Sequence, residues 1–254
     1  MAQNYYRDLS TDDRYFQNRI DVPYRSTVAL ESFLASNGYF SGLSPGTLVL
    51  DVACGAGSET AWLALQYPLL RFLGVDLQPH FIQAASSRHG DVTNLGFVVG
   101  DIYDLSHLDE WESVKCIWLS QTLSWLPWWS EELSSLIGPQ VERIAISTLA
   151  WQGRVESQVI HHLGKRGETG TQEVYYNVYS IPFMCEQMRE AGFPVQAIQD
   201  FSIDIDLEPP PEPGLGNYTV RTQNGERLTF SMWQNLPWHF FMFAREELSS
   251  QPSP

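Results

Sequence analysis

The stretch Leu48-Val49-Leu50-Asp51-Val52-Ala53-Cys54-Gly55-Ala56-Gly57-Ser58-Glu59-Thr60 decides how the rest of the chain is read. An apolar, β-forming run carries an acid near its end. Small residues and two glycines follow, and a helical pattern begins at Glu59. A buried strand therefore turns sharply into a helix. Glycine accepts the backbone conformations that such a turn needs, and it lets a ligand lie against the main chain there.

Strand and helix patterns alternate downstream of this turn. A helix over 59–66 stops before Pro68, and Arg71–Asp76 reads as a second strand. Pro79 suits the first turn of the next helix, which runs to about Arg88 and stops before Gly90. Leu95–Val99, Lys115–Ser120 and Val141–Thr148 read as further strands, with a short helix over 131–137 before the last. This alternation predicts the α/β class and a doubly wound, mainly parallel sheet. Upstream, residues 1–40 read as two helical segments parted by Pro23, with Tyr15, Phe16, Ile20, Val28, Leu30, Phe33 and Leu34 near helical spacing.

After residue 150 the rhythm changes. Residues 151–179 hold Arg154, His161, His162 and the aromatic run Tyr175-Tyr176-Asn177-Val178-Tyr179. A helix over 181–191 ends at Gly192 and Pro194, residues 195–207 look extended, and 209–214 form a proline-rich loop. Asn224-Gly225 predicts a hairpin joining 218–222 to 227–230, and 238–244 is a last strand. The chain thus divides into an N-terminal helical lid (1–44), a core (45–150), and a C-terminal part (151–248) that completes the sheet and carries cap insertions.

The chain has 254 residues and a net charge of −15 from 30 acids and 15 bases. The excess of acid is spread, with 17 acids and 8 bases in residues 1–150 and 13 and 7 beyond. Such a surface repels phosphate backbones, and no Lys/Arg cluster offers a local exception, so nucleic acid is not expected as a partner. Cys54, Cys116 and Cys185 are too few and too scattered for a disulfide framework or a zinc site, and no metal is expected. The first 25 residues are polar and charged, with no visible signal peptide, and no apolar run reaches spanning length. A soluble, cytoplasmic protein without membrane contact is the expectation.

The order Asp51-x-Ala53-x-Gly55-x-Gly57 resembles motif I of class I S-adenosylmethionine-dependent methyltransferases, in which an acid is followed by three alternating glycines. Ala53 stands where the first glycine usually does. The dinucleotide fingerprint would want a third glycine at Thr60, which disfavours an NAD-dependent oxidoreductase. The resemblance implies a seven-stranded, mainly parallel sheet with N-terminal helices and a C-terminal cap or hairpin insertion. It also implies that Asp51, Ala53, Cys54, Gly55 and Gly57 pack against the methionine part of S-adenosylmethionine, the product being S-adenosylhomocysteine. Asp76, nineteen residues past Gly57, can accept hydrogen bonds from both ribose hydroxyls. Asp101 resembles the position that holds the adenine amino group, with Ile102 and Leu77 against the two faces of the ring.

The segment Ser120-Gln121-Thr122-Leu123-Ser124-Trp125-Leu126-Pro127 corresponds to motif IV, beside the sulfonium and the acceptor. It lacks the Asn/Asp-Pro-Pro-aromatic signature of amino methyltransferases acting on DNA, and no Pro-Cys nucleophile exists in the chain. Gln121 and Trp125 therefore read as cofactor and substrate walls, and Arg25 as a partner for the methionine carboxylate. If an acceptor hydroxyl must lose a proton, His161, His162 and Tyr176 are the candidate bases, with Tyr175 beside them. Trp125, Tyr175, Tyr176 and Asn177 suit a substrate pocket. Placement alone supplies roughly 7–11 kcal/mol of rate enhancement for an in-line displacement, so a neutral amine needs no base.

The expected activity is O- or N-methylation of a small molecule such as a sugar, natural-product intermediate or other metabolite. A protein or RNA acceptor and a non-catalytic S-adenosylmethionine-binding module are the alternatives. The 208–230 insertion is expected to form a cap or the surface of a homodimer.

Overall fold

A run of Leu and Val without alternation is buried on both faces of a sheet, and Leu48–Val52 is buried along its whole length. The computed structural model describes residues 3–4, 23–126, 129–163, 172–210 and 216–246. Its main elements in chain order are α1 (Arg25–Ser36), β1 (Leu48–Val52), α2 (Ser58–Gln66), β2 (Arg71–Asp76), α3 (Pro79–His89), β3 (Leu95–Val99), β4 (Val114–Ser120), α4 (Trp129–Leu136), β5 (Arg143–Trp151), β6 (Ser157–Leu163), β7 (Gln172–Ser180), α5 (Ile181–Glu190), β8 (Val195–Phe201), β9 (Asn217–Arg221), β10 (Arg227–Ser231), β11 (Gln234–Asn235) and β12 (Trp238–Ala244).

Seven strands lie side by side in the order β3-β2-β1-β4-β5-β12-β8, all parallel except β12, which runs antiparallel to both its neighbours. This is the doubly wound, mainly parallel sheet of the class I methyltransferase fold. It widens to ten strands because the hairpin β6–β7 joins through Ala150–Trp151 of β5, and Gln3–Asn4 pairs with β7. The chain builds from β1 toward β3 and then returns to place β4 on the other side of β1. Ligands of such sheets bind at the carboxyl ends of the strands at this reversal, which is where the turn at 53–57 stands.

Two apolar layers cover the sheet. On one face Val49, Phe72, Trp118 and Phe240 meet Leu30, Phe33 and Leu34 of α1 and Leu63 of α2. On the other, Leu50, Ile117, Ile144 and Phe241 meet Leu133 and Leu136 of α4 and Ile181, Met184 and Met188 of α5. Helix α1 runs against the strand direction. Its end is held by Arg143 at the start of β5, whose Nη1 donates to the carbonyls of Gly38 (3.1 Å), Tyr39 and Ser41 (2.9 Å). A cation there also suits the negative end of the helix dipole. The first turn of α1 therefore lies over the carboxyl edge of β4 and β5. A third apolar cluster sits beyond that edge, where Leu149, Val174, Tyr176, Leu236 and Trp238 join β5, the hairpin β6–β7 and the small sheet β9–β11.

Several expectations need correction. Within 151–179, where no strand was expected, Ser157–Leu163 pairs antiparallel with residues 172–178, and β5 reaches Trp151, past the expected end at Thr148. The extended stretch from Val195 is a strand only to Phe201. Among residues 1–40, Gln3–Asn4 is strand and Arg25–Ser36 is helix; Tyr15, Phe16 and Ile20 lie outside the described residues, as do Pro127 and residues 211–215. Among the described residues no helix is long and apolar enough to cross a membrane.

Candidate functional site

The turn after β1 uses the left-handed region three times, at Ala53 (φ 60°), Gly55 (φ 54°) and Gly57 (φ 79°). Ala53 thus holds a conformation that costs an L-residue about 1–2 kcal/mol. The glycines serve different ends. A Cβ on Gly57 would stand 2.6 Å from the Phe97 ring and 2.8 Å from the Ala85 methyl, so Gly57 lets α2 close onto the sheet. A Cβ on Gly55 would meet nothing within 4 Å, so its outer side is open. Cys54 N–H donates to the Val75 carbonyl (3.0 Å), and Ala61 N–H to the Gly57 carbonyl (2.9 Å) begins α2.

Acids converge on this turn. Asp51, 3% exposed, accepts a 2.5 Å hydrogen bond from the Thr60 hydroxyl. Burial pushes its carboxyl well above the usual range, Glu59 and Asp76 add to the effect, and the Thr60 bond opposes it. Asp76 at the end of β2 accepts from Gly55 N–H and Gln78 N–H, both at 2.9 Å. Burial raises this carboxyl too, against those two N–H groups and His80. Burial, then Asp51 and Asp76, holds the Cys54 thiol protonated. One strand further on, Asp101 caps a short 3₁₀ turn by accepting from Tyr103 N–H (3.0 Å), and Gly100 N–H ties to the Asp76 carbonyl (3.0 Å). Leu77 is 39% exposed beside Asp76. Ile102 is buried in the apolar layer with Leu105 and Leu133.

On the other side of β1, Gln121 follows β4 with φ 53°, donates its N–H to the Ser147 carbonyl (2.9 Å) and its Nε2–H to Ser26 Oγ (2.5 Å). Ser120 and Ser147 are register partners on β4 and β5, on the face that α1 covers. Their hydroxyls, that of Thr27 in the first turn of α1, and the Trp118 indole N–H are buried without hydrogen-bond partners among the described residues. Sequence reasoning did not single out these groups. The visible signal was a serine at the end of one apolar strand, β4, and another in the middle of the next, β5. Arg25, expected at the same place, instead pairs with Asp204 at 3.0 Å, beyond β8.

Of the acceptor candidates, Trp125, Tyr176 and His161 gather beyond the strand edge, while His162 and Tyr175 meet at Glu173 on the other face of the hairpin. Trp125 meets the Tyr176 ring edge-on at 4.6 Å between centroids and lies 6.0 Å from Trp238. Tyr176, 3% exposed, exchanges a 2.9 Å hydrogen bond with Ser231. Burial raises its phenol, against that bond. His161 packs edge-on against Tyr176 and Trp233, with Nε2 3.3 Å from Gln234 Oε1. His162 lies 3.7 Å from Glu173, and Tyr175 donates to the same carboxylate at 3.0 Å. Burial, then Glu173, raises Tyr175. Tyr175 and Tyr176 therefore keep their protons at neutral pH. Asn177 points its amide at the turn after β4, donating to the Leu126 carbonyl.

Residues 49–137 match the methyltransferase domain family. A trans-aconitate 2-methyltransferase of Deinococcus radiodurans is 34% identical over 83 residues, 33% of this chain and 30% of that one. The match thus spans about a third of the relative's length. A magnesium protoporphyrin IX methyltransferase of Synechocystis PCC 6803, solved with bound S-adenosylhomocysteine, superposes with TM-score 0.52 at 14% identity over 94% of this chain and 90% of that one. A geranyl diphosphate methyltransferase solved with sinefungin gives TM-score 0.54 at 12% identity over 86% and 77%. At these identities the likeness to solved structures is one of fold.

Proposed function

Starting from a class I S-adenosylmethionine-dependent methyltransferase domain, we propose that this chain transfers a methyl group from S-adenosylmethionine to a small-molecule acceptor on oxygen or nitrogen. The observation that carries this reading is the meeting of Asp51, the open side of Gly55, and Asp76 at the carboxyl edge of adjacent strands. The residues fit the cofactor in charge and in hydrogen bonding. Three acids crowd this turn: burial, then Glu59 and Asp76, push the Asp51 carboxyl up, and a cationic ligand would relieve the repulsion among them. The cofactor supplies a methyl group on a positively charged sulfonium with a good leaving group.

Asp76 would hold the ribose. A carboxylate has about four lone-pair sites, and Gly55 and Gln78 N–H use two. Asp101 and the half-exposed Leu77 would flank the adenine, while Ile102 supports that wall from the core. The unpartnered hydroxyls of Thr27, Ser120 and Ser147 suit the methionine end, and a ligand there satisfies groups that are otherwise costly to bury. The bond between Gln121 and Ser26 keeps the first turn of α1 over that end.

The acceptor would lie between the turn carrying Trp125 and the hairpin bearing Tyr176 and Asn177, a cap of 151–248 over the core of 45–150. The curated relative acts on trans-aconitate, a small molecule, which supports this size of acceptor. Tyr175 and Tyr176 are held protonated, so His161 and His162 remain the groups able to take a proton. Placement carries most of the catalysis. The experiment is incubation of the purified protein with methyl-labelled S-adenosylmethionine and a metabolite extract. Label in a small molecule supports the reading; label in RNA or protein alone, or no affinity for S-adenosylhomocysteine, sinks it.

A further inference from the structure

Asn177 on β7 is 5% exposed, and its carboxamide is locked in one orientation. The groups around its Nδ2 are the carbonyls of Leu126 and Leu123 (3.5 Å) and the Tyr179 hydroxyl oxygen (3.3 Å). The Tyr179 proton is already given to the Leu123 carbonyl at 2.7 Å. All three neighbours can only accept, so the amide must present its NH₂ to them. Its Oδ1 is thereby turned away, and it is buried with no hydrogen-bond partner among the described residues. A buried acceptor left in that state destabilises the fold until a donor reaches it.

The place of this oxygen matters. The gripped turn begins at Gln121, one residue past the carboxyl end of β4. Tyr176, the preceding residue, closes on Trp125 of the same turn. We propose that Asn177 is a specificity-determining residue of the acceptor site. Its donors are spent on holding the turn after β4 to the hairpin, and its free oxygen selects acceptors that carry a hydroxyl, amine or amide N–H over acceptors that present a carboxylate. The inference rests on the methyltransferase reading and deepens it by naming the chemistry of the acceptor. In a site shielded from water, a hydrogen bond given to the oxygen has no competing solvent bond, and a ligand without a donor leaves the oxygen unpaired against its own lone pairs.

The test uses the full chain loaded with S-adenosylhomocysteine and three one-ring probes: benzyl alcohol, toluene and benzoate. Binding is followed by NMR titration, with asparagine labelled at the amide carbon and the Asn177 signal assigned by its absence in Asn177→Leu. Benzyl alcohol is expected to bind at least about tenfold more tightly than benzoate and to shift the Asn177 amide carbon, which toluene leaves in place. Asn177→Leu is expected to lose the preference while retaining S-adenosylhomocysteine affinity. Equal or tighter binding of benzoate, an unmoved amide carbon at saturation, or failure of all three probes to bind overturns the proposal. Should Asn177→Leu not fold, the ratio of benzyl alcohol to benzoate affinity in the wild-type protein, which needs no assignment, decides the question. Failure to bind S-adenosylhomocysteine would instead overturn the underlying reading.

Discussion

Replacing Asp76 by asparagine separates its two roles, scaffold of the glycine turn and partner of the ribose. The carboxylate accepts from Gly55 N–H and Gln78 N–H at 2.9 Å each and keeps two of its sites free. Gly55 N–H goes to Oδ2 and Gln78 N–H to Oδ1, so the NH₂ of asparagine replaces the acceptor of one backbone N–H whichever way it is turned. An unpaired backbone N–H costs about 1–3 kcal/mol of stability. Burial of the charge holds the Asp76 carboxyl up, and removing that charge offsets part of the loss. The variant should therefore melt only slightly below the parent.

Binding has no such offset. One hydrogen bond to a charged group is lost from the ribose, worth about 1.5–3 kcal/mol, which weakens affinity for S-adenosylhomocysteine by about 10- to 150-fold. Calorimetric titration of both proteins with S-adenosylhomocysteine, alongside thermal melts, makes the comparison. Affinity within about twofold of the parent, in a folded variant, would refute the placement of the ribose at Asp76, because no other change at this position could compensate a charged bond of that size.

Gly57→Ala adds a methyl 2.6 Å from the Phe97 ring at a φ of 79°; overpacking and left-handed strain together should cost about 2–5 kcal/mol in denaturant unfolding. Asp51 has a carboxyl raised by burial, so it contributes stability below its unfolded value of about 3.9 and loses that contribution as pH rises through its raised folded value. Asp51→Asn, which can still accept from Thr60, should accordingly be more stable than the parent at neutral pH, with the advantage vanishing toward about pH 4; melts across a pH series read this directly, and a constant difference would contradict it. Tyr176→Phe strips the buried Ser231 hydroxyl of its 2.9 Å partner and should cost about 1–3 kcal/mol of stability. Since burial keeps Tyr176 protonated, the pH profile of methyl transfer by Tyr176→Phe should match the parent, and a lost basic limb would identify Tyr176 as the base after all.

The half of the candidate site proposed for the methyl donor was legible in the chain because its parts are local. An acid ending a buried strand, glycines at the turn and the opening of the next helix are consecutive residues, and their backbone conformations follow from residue type. The alternation of strands and helices was legible for a related reason, since each strand–helix–strand unit closes on itself, whereas the number of strands followed only from the resemblance to class I methyltransferases. What lay beyond local reach was every contact made across the strand edge. Nothing in the order of residues says that Trp125 meets Tyr176 and Trp238, that Asn177 spends its donors on the carbonyl of Leu126, or that Thr27, Ser120 and Ser147 share a buried face. Arg25 looked available to a carboxylate until the fold brought Asp204 to it. The hairpin β6–β7 carried aromatic residues but no two-residue turn signal, so its pairing was invisible too. Local backbone chemistry determined the turn at which we propose the methyl donor sits. Long-range packing decided what surrounds the acceptor, because side chains more than fifty residues apart acquire partners only when the chain has closed around them.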